Sequence, residues 1–132
     1  MSKGISLFAR ASWNEGKNET WAFTEIDRSA SVGLLANGNR WKRVDDSFGI
    51  GTVLSGLSAD HRNYLASGGY GFIVGDGALN EGVEWATEIF YKAKLFSDSF
   101  YVTANYQFVA NPGYNKDRGP VHVIGLRAHI EF

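Results

Sequence analysis

Two carboxylates four residues apart, Glu84 and Glu88, are the first groups in this sequence that could do chemistry. Paired acids suit glycoside hydrolysis, where one gives a proton and the other acts as base or nucleophile. What they can do depends on the element that carries them. On a strand they share a face at roughly 13 Å, from about 3.3 Å per residue, too far for either hydrolytic geometry. On a helix they would join Lys92 in one charged stripe. A second oxygen-rich group is Gly75-Asp76-Gly77 with Asn80, Glu81 and Glu84, a set that calcium accepts. Its spacing matches no calcium loop, and a turn is the better reading. Gly68-Gly69-Tyr70-Gly71 resembles a phosphate loop only superficially and lacks the following Lys-Ser/Thr. His61, His122 and His129 are too scattered for a metal site. The chain has no cysteine, which excludes disulfides, thiolate catalysis and a cysteine zinc site. No catalytic residue, metal or cofactor is assigned, and the protein is not expected to be an enzyme.

The elements that must carry these residues are strands. Six segments alternate with a period of two. They run over about Gly4 to Asn14, Asp27 to Asn37, Asp46 to Leu54, Val83 to Phe96, Phe100 to Val109 and Val121 to Phe132. In the fourth, Trp85, Ile89, Tyr91, Ala93 and Leu95 fit period two better than a helical stripe, so Glu84, Glu88 and Lys92 are read on a strand. Gly is abundant at 16, Pro scarce at 2 and aromatics reach 14%, which favours an all-β chain. Ser58 or Asp60 is placed to cap one short helix. No run of about 18 apolar residues exists, so no transmembrane helix is expected, but barrel strands give only a weak hydropathy signal. Net charge is -1, without the basic field that nucleic acid requires. Met1-Ser2-Lys3 leads straight into a strand-like pattern without an export signal, so the chain is expected to be a fragment or a mature form.

Connection lengths carry a second signal. Ser97-Asp98-Ser99 and the turn-rich Gly38 to Arg43 are short, while Glu15 to Ile26, Ser55 to Gly82 and Ala110 to Pro120 are longer. Short and long alternate, as in outer-membrane barrels with short periplasmic turns and long extracellular loops. Trp13, Trp85 and Phe108 fall toward the long-connection rim, and Phe96, Phe100 and Phe132 toward the other, as two aromatic girdles would. Opposite the apolar face lie Lys94 and His129 together with charged candidates for a channel wall: Arg10, Arg28, Glu84, Glu88, Lys92, Arg127 and Glu131. Burying these inside a small soluble barrel would cost several kcal/mol per unpaired ion, on the order set by desolvation. Asn111-Pro112-Gly113-Tyr114-Asn115 reads as a turn, with Asp117 and Arg118 able to pair beside it.

The run Tyr106 to Val121, with Asn111-Pro112-Gly113-Tyr114-Asn115-Lys116-Asp117-Arg118-Gly119-Pro120 at its centre, resembles the carbohydrate-selective outer-membrane porin (OprB-type) family. So do Trp21 to Ser29, Gly75 to Asn80, His61 to Leu65 and the ending Arg127 to Phe132. The resemblance covers nearly the whole chain. It implies an antiparallel up-and-down transmembrane β-barrel segment of six strands, residues 1–132 forming a single C-terminal portion with no second domain. The full barrel it implies has about sixteen strands, a size that leaves an aqueous channel. It further implies facilitated diffusion of mono- or oligosaccharides across a bacterial outer membrane, with membrane lipid as surroundings. Six strands fall short of the usual minimum of about eight, so the missing strands or further copies of the chain are expected partners. The competing expectation is a small β-sheet binding or structural module that pairs through its strand edges.

Overall fold

The computed structural model describes residues 4–18, 25–71, 74, 79–96 and 99–132. Six strands are present: β1 (Ile5–Trp13), β2 (Arg28–Asn37), β3 (Ser47–Gly56), β4 (Glu84–Lys94), β5 (Phe100–Ala110) and β6 (Val121–Ile130). They form one antiparallel sheet in sequence order, and β1 and β6 are its two edges. The fourth segment is a strand, as its period-two pattern requires.

Register makes the faces continuous. Leu7 pairs with Leu34, Leu34 with Ile50, Ile50 with Ile89, Ile89 with Tyr106 and Tyr106 with Ile124, so one apolar row crosses all six strands. Because side chains alternate between faces, the neighbouring row falls on the other side: Phe8, Gly33, Gly51, Glu88, Gln107 and Val123. Nothing in the sheet covers the apolar row. Leu7 is 74% exposed and Ile124 86%. The accessible surface is 9156 Å² for 14.5 kDa, against roughly 6,900 Å² for a folded monomer of that mass. The excess is the signature of a sheet open on both faces.

The packed core lies off the sheet. Among the described residues, Leu57, Leu65, Val74 and Tyr114 form the buried apolar cluster, with Leu79 against it. All five belong to the 57–83 and 111–120 connections, which share one rim of the sheet with 14–27. In that rim sits α1 (Ala59–Ala66), the short helix that the sequence suggested. Ser58 is its N-cap, its hydroxyl accepting the His61 N–H at 3.1 Å. The 111–120 connection turns through left-handed backbone at Asn111, Gly113 and Tyr114, with φ of 51°, 65° and 61°. It is scarcely longer than 38–46 on the opposite rim, so the length contrast between rims rests mainly on 14–27 and 57–83.

The opposite rim is held by a compact clasp. Asp46, buried at the end of the 38–46 turn, accepts from the Arg43 guanidinium, the Tyr91 hydroxyl and the Lys94 N–H. Trp41 donates its indole N–H to Tyr91 at 2.9 Å, and Arg43 also reaches the Lys94 carbonyl at 2.9 Å. Burial alone would raise the Asp46 carboxyl. The Arg43 and Tyr91 hydrogen bonds and the Lys94 amide outweigh it and bring the pKa down to about 2.

Aromatics mark both rims. Trp85 meets Phe108 edge-on at 5.6 Å, and Phe108 lies 5.3 Å from the His122 ring. At the clasp rim Phe96 stands 97% exposed, and Trp41 and Tyr91 lie with ring centres 6.1 Å apart.

Candidate functional site

The polar face of the sheet gathers the ionisable side chains. β4 carries them in order down one strand: Glu84 and Glu88 toward the loop-core rim, Lys92 and Lys94 toward the clasp rim. Glu84 ties the face to the loops, accepting the Gly113 N–H at 2.7 Å. Glu88 sits mid-strand with both oxygens engaged, accepting the Asn105 amide at 3.2 Å and the Gln107 amide at 3.0 Å. Both partners are neutral, so the acidic charge stays uncompensated on this face. Lys92 lies 3.9 Å from the centre of the Tyr101 ring and 3.5 Å from Glu131. His129 approaches the same Glu131 oxygen at 3.3 Å. Lys94 pairs with Asp45 at 3.2 Å. Along β4 itself the charges change sign, from Glu84 and Glu88 to Lys92 and Lys94, while Arg10 on β1 and the paired Glu131 and Asp45 break the same order elsewhere on the face.

Strand parity places Arg10, Glu84, Glu88, Lys92 and Arg127 on this face. Glu131 lies just past β6, yet its carboxylate joins Lys92 and His129 there. Arg10 and Arg127 are on the two edge strands, so the sheet brings neither next to Glu88. Arg28 departs from the sequence expectation. It opens β2 at the parity of Ala30 and Val32 and pairs with Trp13, on the apolar side. Period two dictates this, and at a strand end the long arginine stem lets the charge reach the rim.

Two aromatic residues on the polar face escape a reading of charge alone. Phe8 and Phe90 share parity with Arg10 and Glu88, and each lies directly across from a glycine, Gly33 and Gly49. An aromatic residue at polar parity facing a glycine of the next strand was the available signal.

At the loop-core rim a separate acidic cluster is buried. Asp27, 2% exposed, accepts the Ser58 N–H at 2.7 Å and lies 3.0 Å from His61 Nδ1. Glu25 accepts the Val74 N–H at 2.7 Å. These carboxylates fasten the 57–83 connection to the end of β2. A cavity of about 360 Å³ opens beside them, lined in part by Asp60, His61, Tyr64 and Tyr70. Burial, helped by Glu84, Asp27 and Glu25, raises the Tyr114 phenol and keeps it neutral. The oxygen-rich group of the sequence is dispersed: Asn80 donates to Asp117 at 3.0 Å and Glu81 pairs with Arg62 at 3.1 Å. Its Gly75, Asp76 and Gly77 lie outside the described residues, as do residues 21–24. Asp117, which the sequence allows to pair with Arg118, accepts this Asn80 bond.

Comparison with known proteins agrees with this geometry. A family model for the carbohydrate-selective porin, OprB family, matches residues 1–132. The solved high-pH structure of Pseudomonas putida OprB matches with a TM-score of 0.73 at 22% identity, over 98% of this chain and 30% of that one. The chain therefore spans about 30% of the length of the solved protein it matches. No curated protein matches it.

Proposed function

The chain belongs to the carbohydrate-selective porin, OprB family, and from that premise we propose that it forms part of the wall of an outer-membrane channel through which sugars diffuse. The observation that carries this reading is the uninterrupted apolar row from Leu7 to Ile124 on one face, with Glu84, Glu88, Lys92 and Arg127 on the other. In water such a row would form an uncovered patch beyond the few hundred Å² usual for a monomer. In a bilayer it is the solvated face. The polar face then lines the lumen, with Arg10, Glu84, Glu88, Lys92, Arg127 and Glu131 as its charges. Arg28 is assigned to the lipid-side rim.

In this reading the loop-core rim faces outward and the clasp rim the periplasm. Mono- or oligosaccharides pass by diffusion, with no bond made or broken, so the protein is a channel and not an enzyme. Unpaired edges at β1 and β6 call for further strands, supplied by the rest of a longer barrel or by other copies. Liposomes containing the full-length channel should swell in an isotonic glucose solution. A folded, heat-modifiable barrel that admits no sugar would overturn the proposal. The open edges also suit a small module that pairs through its strands; a chain that stays soluble without detergent would favour that reading instead.

A further inference from the structure

Phe8 and Phe90 do not stand out from the polar face. A Cβ on Gly33 would overlap the Phe8 ring, and one on Gly49 the Phe90 ring, so each ring lies across the neighbouring strand. Phe8 starts on β1 and its Cζ reaches to 3.9 Å from where a Gly51 Cβ would sit, on β3. Phe90 comes to β3 from the other side. The rings therefore converge on Gly49 and Gly51, which are two residues apart on one face, roughly 7 Å. Leu35 borders Gly49 from β2. The outcome is a flat aromatic shelf at the centre of the face that carries the charges. A depression of about 400 Å³ there is lined in part by Ser6, Phe8, Gly51, Glu88 and Phe90.

Glu88 stands at the margin of the shelf, directly paired with Gly51. Asn105 and Gln107 each occupy one of its oxygens. A carboxylate offers about four acceptor positions, so two remain for hydroxyl donors, and the two amides fix where they point.

We infer that this shelf and its carboxylate form a pyranose subsite on the channel wall, an assignment that rests on the channel reading above. A sugar ring is apolar on its faces and hydroxylated around its rim. It can lay a C–H face on Phe8 and Phe90 while rim hydroxyls donate to Glu88. An acyclic polyol has the hydroxyls but no face to lay down. The subsite therefore discriminates by ring shape and not by hydroxyl count.

The test uses the full-length channel in planar bilayers, with block of the ion current by glucose and by mannitol as readout. Phe8→Leu and Phe90→Leu keep the glycines covered but remove the aromatic face, and Glu88→Gln removes the charge. Each should weaken glucose block about three- to tenfold, the scale of one lost aromatic or charge-assisted contact. The glucose-to-mannitol ratio should fall in the two leucine variants while the barrels stay heat-modifiable on gels. Heat-modifiable variants that bind glucose as tightly as the parent overturn the subsite. So does an equal loss of glucose and mannitol block in the two leucine variants, which would show that the rings give a sugar no more than a polyol. A parent channel impermeable to glucose would overturn the sugar-channel reading itself, whatever the variants do.

Discussion

The Asp46 carboxylate accepts the backbone N–H of Lys94 at 3.0 Å. That bond joins the turn between β2 and β3 to the end of β4, and it is charge-assisted because Arg43 and Tyr91 hold the same carboxylate ionised. A carboxyl lowered to about 2 stabilises the folded state above the ordinary value of 3.8, and that contribution is lost as pH falls through about 2. The Lys94 amide resonance should therefore titrate with a midpoint near 2, and Asp46→Asn should abolish the titration. A midpoint at or above 3.8 would show that the clasp does not hold the charge. Asp46→Ala should lower stability in urea titrations by about 1–2 kcal/mol, since it leaves the half-buried Tyr91 hydroxyl and the Lys94 N–H short of an acceptor.

Gly49 and Phe90 should behave as one unit. Gly49→Ala forces the ring aside and should cost about 1–3 kcal/mol, the usual range for overpacking. In the Phe90→Ala background the same change should cost much less. Unfolding of the four proteins of this cycle gives the coupling. Additive costs would mean that the ring does not rest on the glycine.

Arg127 and Arg28 should separate by face. If the polar face lines the proposed channel, neutralising one of its charges alters the field that a permeating ion meets, so Arg127→Gln should shift the reversal potential in a salt gradient toward cation preference. Arg28→Gln should leave it where it was. Equal shifts would refute the parity assignment of Arg28.

Ser58 tests whether the outer cap is ordered by its own bonds. Ser58→Ala removes the N-cap of α1 and should cost about 1 kcal/mol. The loss should appear as faster hydrogen exchange over Ala59 to Ala66, with β3 and β4 unaffected. Uniform change across the sheet would mean that cap and wall unfold together.

Much of the wall was legible in the sequence. The period of two in Ile5 to Trp13 or Phe100 to Val109 reflects local geometry, so the strands and the face each residue occupies follow from counting, Arg28 excepted. Arg28 opens β2 and pairs with Trp13, so its parity places it on the apolar side whatever its charge suggests. The cap was less legible. Its Asp27–Ser58 bond spans 31 residues, and no local pattern reports such a pairing. The role of Phe8 and Phe90 depends on the glycine of the next strand, a pairing that only register reveals. The Asp46 clasp was hidden for the same reason.

The displacement of the packed core into the connections inverts the usual division of labour between scaffold and loop. On the proposed channel reading, Leu7 and Ile124 face a fluid that fits any apolar shape, so their side chains are constrained in polarity and little else. Leu65 or Tyr114, by contrast, must fit neighbours of fixed outline. Substitution among Leu, Ile, Val and Phe should be tolerated along the apolar row and punished in the cap. Engineering the apolar row is therefore a problem of hydropathy, while engineering the loop-core rim is a problem of packing.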